Sequence, residues 1–166
     1  FEDTVSTTGA LTVTNSGVLT VADGATISAD GGFTQSGGGF ASGGAVLLGA
    51  DIMTVENDIS IAGALTLLAD TSMSTAAIQT IELSTGSGAG NISLASVSGT
   101  DAGVNNRLNL ISGTGTTTVT GAIGGITLLG LQDTGATGAV SLEGDLTVGG
   151  INTAAAAYNI SFLGGT

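Results

Sequence analysis

The chain carries few residues with which covalent chemistry could be done. Its 166 residues include no His, no Cys and a single basic side chain, Arg107. Without imidazole there is no proton shuttle near neutral pH, and without thiolate there is neither a sulfur nucleophile nor a Cys-based zinc site. Ser-His-Asp triads, Cys-His proteases and zinc enzymes are therefore excluded. Carboxylates remain, and Asp51, Glu56 and Asp58 lie close enough in sequence to raise the question of carboxylate-pair hydrolysis. A charged group between short apolar segments reads instead as a solvated rim, and Arg107, in Asn105-Asn106-Arg107, as a loop residue. No catalytic residue is expected, and the chain is read as a non-enzyme.

Calcium is the one cofactor the residues suggest. Asp23, Asp30, Asp51, Asp58 and Asp70 fall at turns, where carboxylates and backbone carbonyls could converge on a hard cation. The Gly-Gly-x-Gly-x-Asp nonapeptide of calcium-binding solenoids is absent, because Gly31-Gly32-Phe33-Thr34-Gln35-Ser36 and Gly37-Gly38-Gly39-Phe40 carry the glycines without the aspartate. Asp23, Asp30, Asp51 and Asp58 are thus the metal candidates, set against a reading as acidic turn residues facing water. Regularly spaced threonines raise a third chemistry, docking of ice or a polymer on a flat face. Thr12, Thr14, Thr20, Thr26, Thr66, Thr118, Thr120 and Thr147 are its candidates, and variable spacing between them favours ordinary wetting of strands.

The elements that would position such groups are short strands. With 13 acidic residues against 1 basic, the formal charge of −12 repels nucleic acid and anionic head groups and favours solubility. Mean hydropathy is +0.52, yet the longest purely apolar run, Ala154 to Tyr158, is far below the roughly 18 residues a membrane span needs. Apolar residues come instead in packets such as Leu11-Thr12-Val13, Val18-Leu19-Thr20-Val21, Ile52-Met53-Thr54-Val55, Leu65-Thr66-Leu67, Ile126-Thr127-Leu128 and Leu146-Thr147-Val148. The recurring pattern is apolar, Thr or Ser, apolar, whose period of two sends alternate side chains to opposite faces. Asn15-Ser16-Gly17, Asp23-Gly24, Asp30-Gly31-Gly32, Ser42-Gly43-Gly44 and Gly149-Gly150 separate the packets with residues that close tight turns. Aromatics make up 3% of the chain, so the interior must be narrow and filled by small aliphatics. Helix is poorly supported, and Thr153 to Ala157 reads as a tight corner rather than a helical turn.

Internal repetition specifies the architecture. Asp58-Ile59-Ser60-Ile61, Asn91-Ile92-Ser93-Leu94 and Asn159-Ile160-Ser161-Phe162 share one pattern, and their isoleucines are expected to point inward at equivalent strand positions. Gly44 to Ile52 matches Gly138 to Leu146 at an offset of 94, Leu11-Thr12-Val13 can be laid on Leu108-Asn109-Leu110 at 97, and Ile59 on Ile160 at 101. The series predicts a tandem repeat of about 95–100 residues, four or five coils long, within a single segment over 1–166. A coil cannot bury its inner face alone and must stack on its neighbours. At about 20 residues per coil and about 4.8 Å per step the rod would be about 40 Å long. The fold expected is an all-β solenoid of short strands with Gly, Asn and Asp turns.

Gly9-Ala10-Leu11-Thr12-Val13, Gly17 to Ala25, Thr114 to Gly125 and Gly144 to Asn152 resemble the repeats of filamentous-haemagglutinin-like and autotransporter-passenger proteins. The resemblance covers essentially the whole chain, with Leu128 to Leu131 and Ile78 to Leu83 less regular than the rest. It implies a right-handed parallel β-helix in a very large bacterial surface protein concerned with attachment, cell–cell contact or an extracellular layer. With no signal peptide or anchor visible, the segment reads as an interior piece. The expectation is a secreted, stiff spacer or scaffold at the cell surface. Its partners would be flanking coils or identical subunits stacked end to end, and a surface glycan or other cells, with no nucleic acid and no membrane insertion. A self-polymerising filament subunit and a calcium- or polysaccharide-binding module are the alternatives.

Overall fold

A computed structural model describes residues 1–37, 44–69, 79–100, 106–132, 138–154 and 158–164. Among these the backbone forms eighteen strands and no helix, as period-two packets broken by turn residues require. Every strand pairing is parallel. The chain is a β-solenoid with three faces.

Each coil visits the faces in the same order. The first carries β1 (Val5–Thr7), β2 (Leu11–Thr14) and β3 (Leu19–Val21), and the second β4 (Ile27–Ala29), β5 (Phe33–Ser36) and β6 (Val46–Leu48). In the third and fourth coils the first face is β7 (Ile52–Met53) or β9 (Thr80–Ser84), and one long strand, β8 (Ile59–Leu67) or β10 (Ile92–Gly99), covers the other two. The fifth has β11 (Arg107–Ile111), β12 (Thr116–Val119) and β13 (Ile123–Ile126), and the sixth β14 (Leu128–Leu131), β15 (Ala139–Leu142) and β16 (Leu146–Val148). A part of a seventh follows in β17 (Ile151–Thr153) and β18 (Asn159–Phe162). The first face is a seven-stranded sheet, while β8 and β10 join the second and third faces into one bent sheet of eleven strands.

Inward columns on each face make the core, and on the second face Ile61, Leu94, Val119 and Leu142 form one of them. On the second face the register runs Leu11, Phe33, Ile59, Ile92, Thr117, Val140, Ile160. On the third it runs Leu19, Val46, Leu65, Val97, Ile123, Leu146. The first face contributes Ile27, Ile52, Leu83, Leu110 and Leu131. Nearly all of these side chains are fully buried in the inner coils, and Phe33 is the one aromatic ring among the largest fully buried groups. Each such aliphatic contributes about 1.5–3 kcal/mol by leaving water. The interior is therefore narrow and aliphatic, as the scarcity of aromatics predicts.

Ile59, Ile92 and Ile160 do share one column, the first two fully buried and the third half-buried on the last coil. The matches at 94 and 97 behave differently. Val46 lies on the third face and Val140 on the second, while Leu11 lies on the second face and Leu108 on the first. The unit that the register repeats is the coil, which ranges on the second face from 20 residues (Val140 to Ile160) to 33 (Ile59 to Ile92). Coils are thus mostly longer than 20 residues, and six steps of about 4.8 Å give a stack of about 29 Å rather than 40. Residues 155–157 of the alanine run lie outside the described residues.

The corners are held by side chains inside the coil. Where the second face bends into the third, Gln35 is fully buried. Its Nε2 donates to Asn15 Oδ1 at 2.6 Å and to the Gly44 carbonyl at 3.1 Å, and its Oε1 accepts from Gly63 N at 2.9 Å. Coils approach so closely here that a Cβ on Gly63 would stand 2.0 Å from the Gly44 carbonyl oxygen. At the corner between the first and second faces the buried hydroxyls Thr54, Thr85 and Ser112 follow one another on successive coils. Thr54 Oγ1 donates to the Asn57 carbonyl, Thr85 Oγ1 to the Gly90 carbonyl at 3.0 Å, and Thr117 Oγ1 to Ser112 Oγ at 3.0 Å. Backbone groups that the turn removes from the ladder are thus satisfied internally.

Candidate functional site

The four aspartates singled out as metal candidates divide between two corners. Asp23 and Asp51 stand on adjacent coils where the third face turns into the first. Asp30 and Asp58 stand on adjacent coils between the first face and the second. Asp70 lies outside the described residues. No group of three or more His, Cys, Asp or Glu side chains capable of holding a metal forms among the described residues.

Asp58 is occupied with the backbone of the next coil. Its Oδ1 accepts from Asn91 N at 2.7 Å and Asn91 Nδ2 at 3.1 Å, and Asn91 Oδ1 in turn accepts from Thr116 N at 2.9 Å. Asn57 adds a bond from Nδ2 to the Asp30 carbonyl at 2.8 Å. These are Asx caps on strand starts, stacked coil over coil. Glu56 sits in the same turn at a left-handed φ of 57°, and Asp51 is separated from both by β7. Asp51 is thus set apart from Glu56 and Asp58, which share one turn, and Asp58 Oδ1 is engaged by Asn91.

The other corner forms a shallow groove of about 320 Å³ lined by Asp23, Thr26, Asp51, Gln79 and Thr80 among others. Gln79 Nε2 bridges it, donating to the Gly49 carbonyl at 2.6 Å and to Asp23 Oδ1 at 3.4 Å. Asp51 Oδ1 accepts from Glu82 N at 2.8 Å. Glu82 is a carboxylate that sequence reasoning passed over, because Ile81-Glu82-Leu83 reads only as a strand with a polar outward residue. Burial first, and the Asp51 charge second, push the Glu82 carboxyl above the ordinary glutamate value of 4.5.

A different feature runs the whole length of the second face. Its outward register is Thr12, Thr34, Ser60, Ser93, Thr118, Ser141, Ser161, one hydroxyl in every coil. The threonines considered from sequence do not make this array alone. Thr12 and Thr118 belong to it, Thr20, Thr66 and Thr147 stand on the third face, and Thr26 precedes a strand of the first. Serines complete the column, and the variable coil lengths are absorbed between strands without breaking it. On the third face the equivalent column is interrupted by Leu47 and Gly124. No family model, no curated protein and no solved structure matches the chain.

Proposed function

We propose that this chain is a structural, non-catalytic β-solenoid segment of a bacterial surface adhesin or filament. It works outside the cell as a stiff spacer for attachment or surface assembly. The observation that supports this reading is the hydroxyl column that faces outward on the second face through seven consecutive coils, over an inward column that is aliphatic except at Phe33 and Thr117. A continuous parallel ladder resists bending and extension, while carboxylates at the corners keep neighbouring rods apart by charge. Flanking coils or identical subunits stacked end to end would pair with the outer edges of the terminal strands.

Stretching the chain between its ends in an optical trap tests the reading. Coils should peel off one at a time, each releasing roughly 65–110 Å of contour length for its 20–33 residues. Smooth extension at low force, without discrete steps, would remove the stiffness on which the proposal depends.

A second reading, docking of a neutral polysaccharide on the second face, is favoured by the hydroxyl column. Hydroxyls both donate and accept, so a column spaced by about 4.8 Å suits a repeating uncharged polar chain. In affinity electrophoresis through soluble β-glucan, the protein should be retarded, and Ser60→Ala/Ser93→Ala/Thr118→Ala should run free. Equal mobility with and without the glucan would rule this reading out.

A further inference from the structure

Among the described residues, the buried side-chain nitrogen and oxygen atoms that lack a hydrogen-bond partner are Gln79 Oε1, Asn106 Nδ2, Asn106 Oδ1 and Arg107 Nε. They are not scattered. Gln79 closes the corner before the fourth coil, Asn106 and Arg107 the same corner before the fifth, and Arg107 N donates to the Gln79 carbonyl at 2.9 Å across the boundary. Asn106 is 2% exposed, and its Nδ2 lies 3.0 Å from where a Cβ on Gly99 would stand.

Other corner side chains among the described residues are satisfied. Gln35 uses both ends of its amide, Thr54, Thr85 and Ser112 bond within their turns, and Asp58 and Asn91 cap strand starts. A buried polar group without a partner loses its hydration and gains nothing, so opening that exposes it to water costs less there than at a satisfied corner. Parting the fourth and fifth coils at this corner would return water to donors and acceptors on both sides at once. We infer that the corner of Gln79, Asn106 and Arg107 is a built-in seam, the place where the solenoid opens first. The inference rests on these atoms alone and stands whether or not the spacer reading holds.

Hydrogen–deuterium exchange of the full chain, read by mass spectrometry, tests it. Amides of β9 and β11 should exchange at least tenfold faster than those of β5 and β8, which lie in the second and third coils away from the boundary, since one orphaned group biases opening by about that factor. Asn106→Leu, which removes two of the four atoms, should slow exchange in β9 and β11 by about tenfold. Uniform protection across the four strands in the native chain would overturn the inference, as would faster exchange in Asn106→Leu. Either result would mean that the corner is already satisfied, for instance by an internal water that the leucine displaces. The pattern in the native chain decides the matter even if the variant fails to fold.

Discussion

Ile92→Asp is expected to abolish or nearly abolish the fold, at a cost of about 4 kcal/mol or more, while Ser93→Asp next to it costs less than about 1 kcal/mol. Ile92 is fully buried in the middle of the inward column, between Ile59 and Thr117. A carboxylate there has no cation to meet, since Arg107 is the only basic side chain in the protein. It must either stay charged in an apolar interior or take up a proton and lose its hydration, and both are costly. Ser93 is exposed, flanked in its column by Ser60 and Thr118, and a carboxylate there remains in water. Chemical denaturation followed by circular dichroism measures both. Similar losses at the two positions would mean that adjacent residues do not face opposite sides of a strand.

Gln35→Leu is expected to cost about 2–4 kcal/mol although it replaces a polar side chain in the core with an apolar one. The substitution leaves Gly63 N without its acceptor and takes a donor from both Asn15 Oδ1 and the Gly44 carbonyl. These groups lie where coils touch backbone to backbone, so water has little room to substitute. Gln35→Glu separates geometry from bonding. It keeps the acceptor for Gly63 N and loses the donor, setting a carboxylate against two oxygens, and should be at least as damaging as leucine. A leucine variant as stable as the native chain would show that the corner network contributes nothing to holding the second and third coils together.

Much of this architecture is legible in the residues. Apolar–Thr/Ser–apolar triplets between glycine-rich turns specify short strands, and the Ile59, Ile92 and Ile160 motifs fall on one column because the same local pattern meets the same place in the coil. Legibility fails where that pattern is not distinctive. Leu11-Thr12-Val13 and Leu108-Asn109-Leu110 look alike yet occupy different faces, since all three faces bury aliphatics with the same period of two. The strand Phe33–Ser36 escapes notice because its inward residues are Phe33 and Gln35 rather than two aliphatics. Gln35 can be recognised as core only when Asn15 and Gly63, twenty and twenty-eight residues away, are brought beside it. The hydroxyl column is hidden for a related reason. Its members recur at intervals of 20–33 residues, and no fixed period lays Thr34 beside Ser60 or Ser141 beside Ser161.

Cysteine cross-linking along the outward column tests the coil register most directly, because the native chain has no cysteine to confuse it. Neighbouring members of the column stand about 4.8 Å apart, within the Cα separations of about 4.4–6.8 Å that a disulfide tolerates. Members two coils apart stand about twice as far. Under mild oxidation Ser60→Cys/Ser93→Cys and Ser93→Cys/Thr118→Cys should close intramolecular disulfides, and Ser60→Cys/Thr118→Cys should leave both thiols free. Closure of the Ser60–Thr118 pair, or free thiols in both neighbouring pairs, would contradict the stacked-coil register.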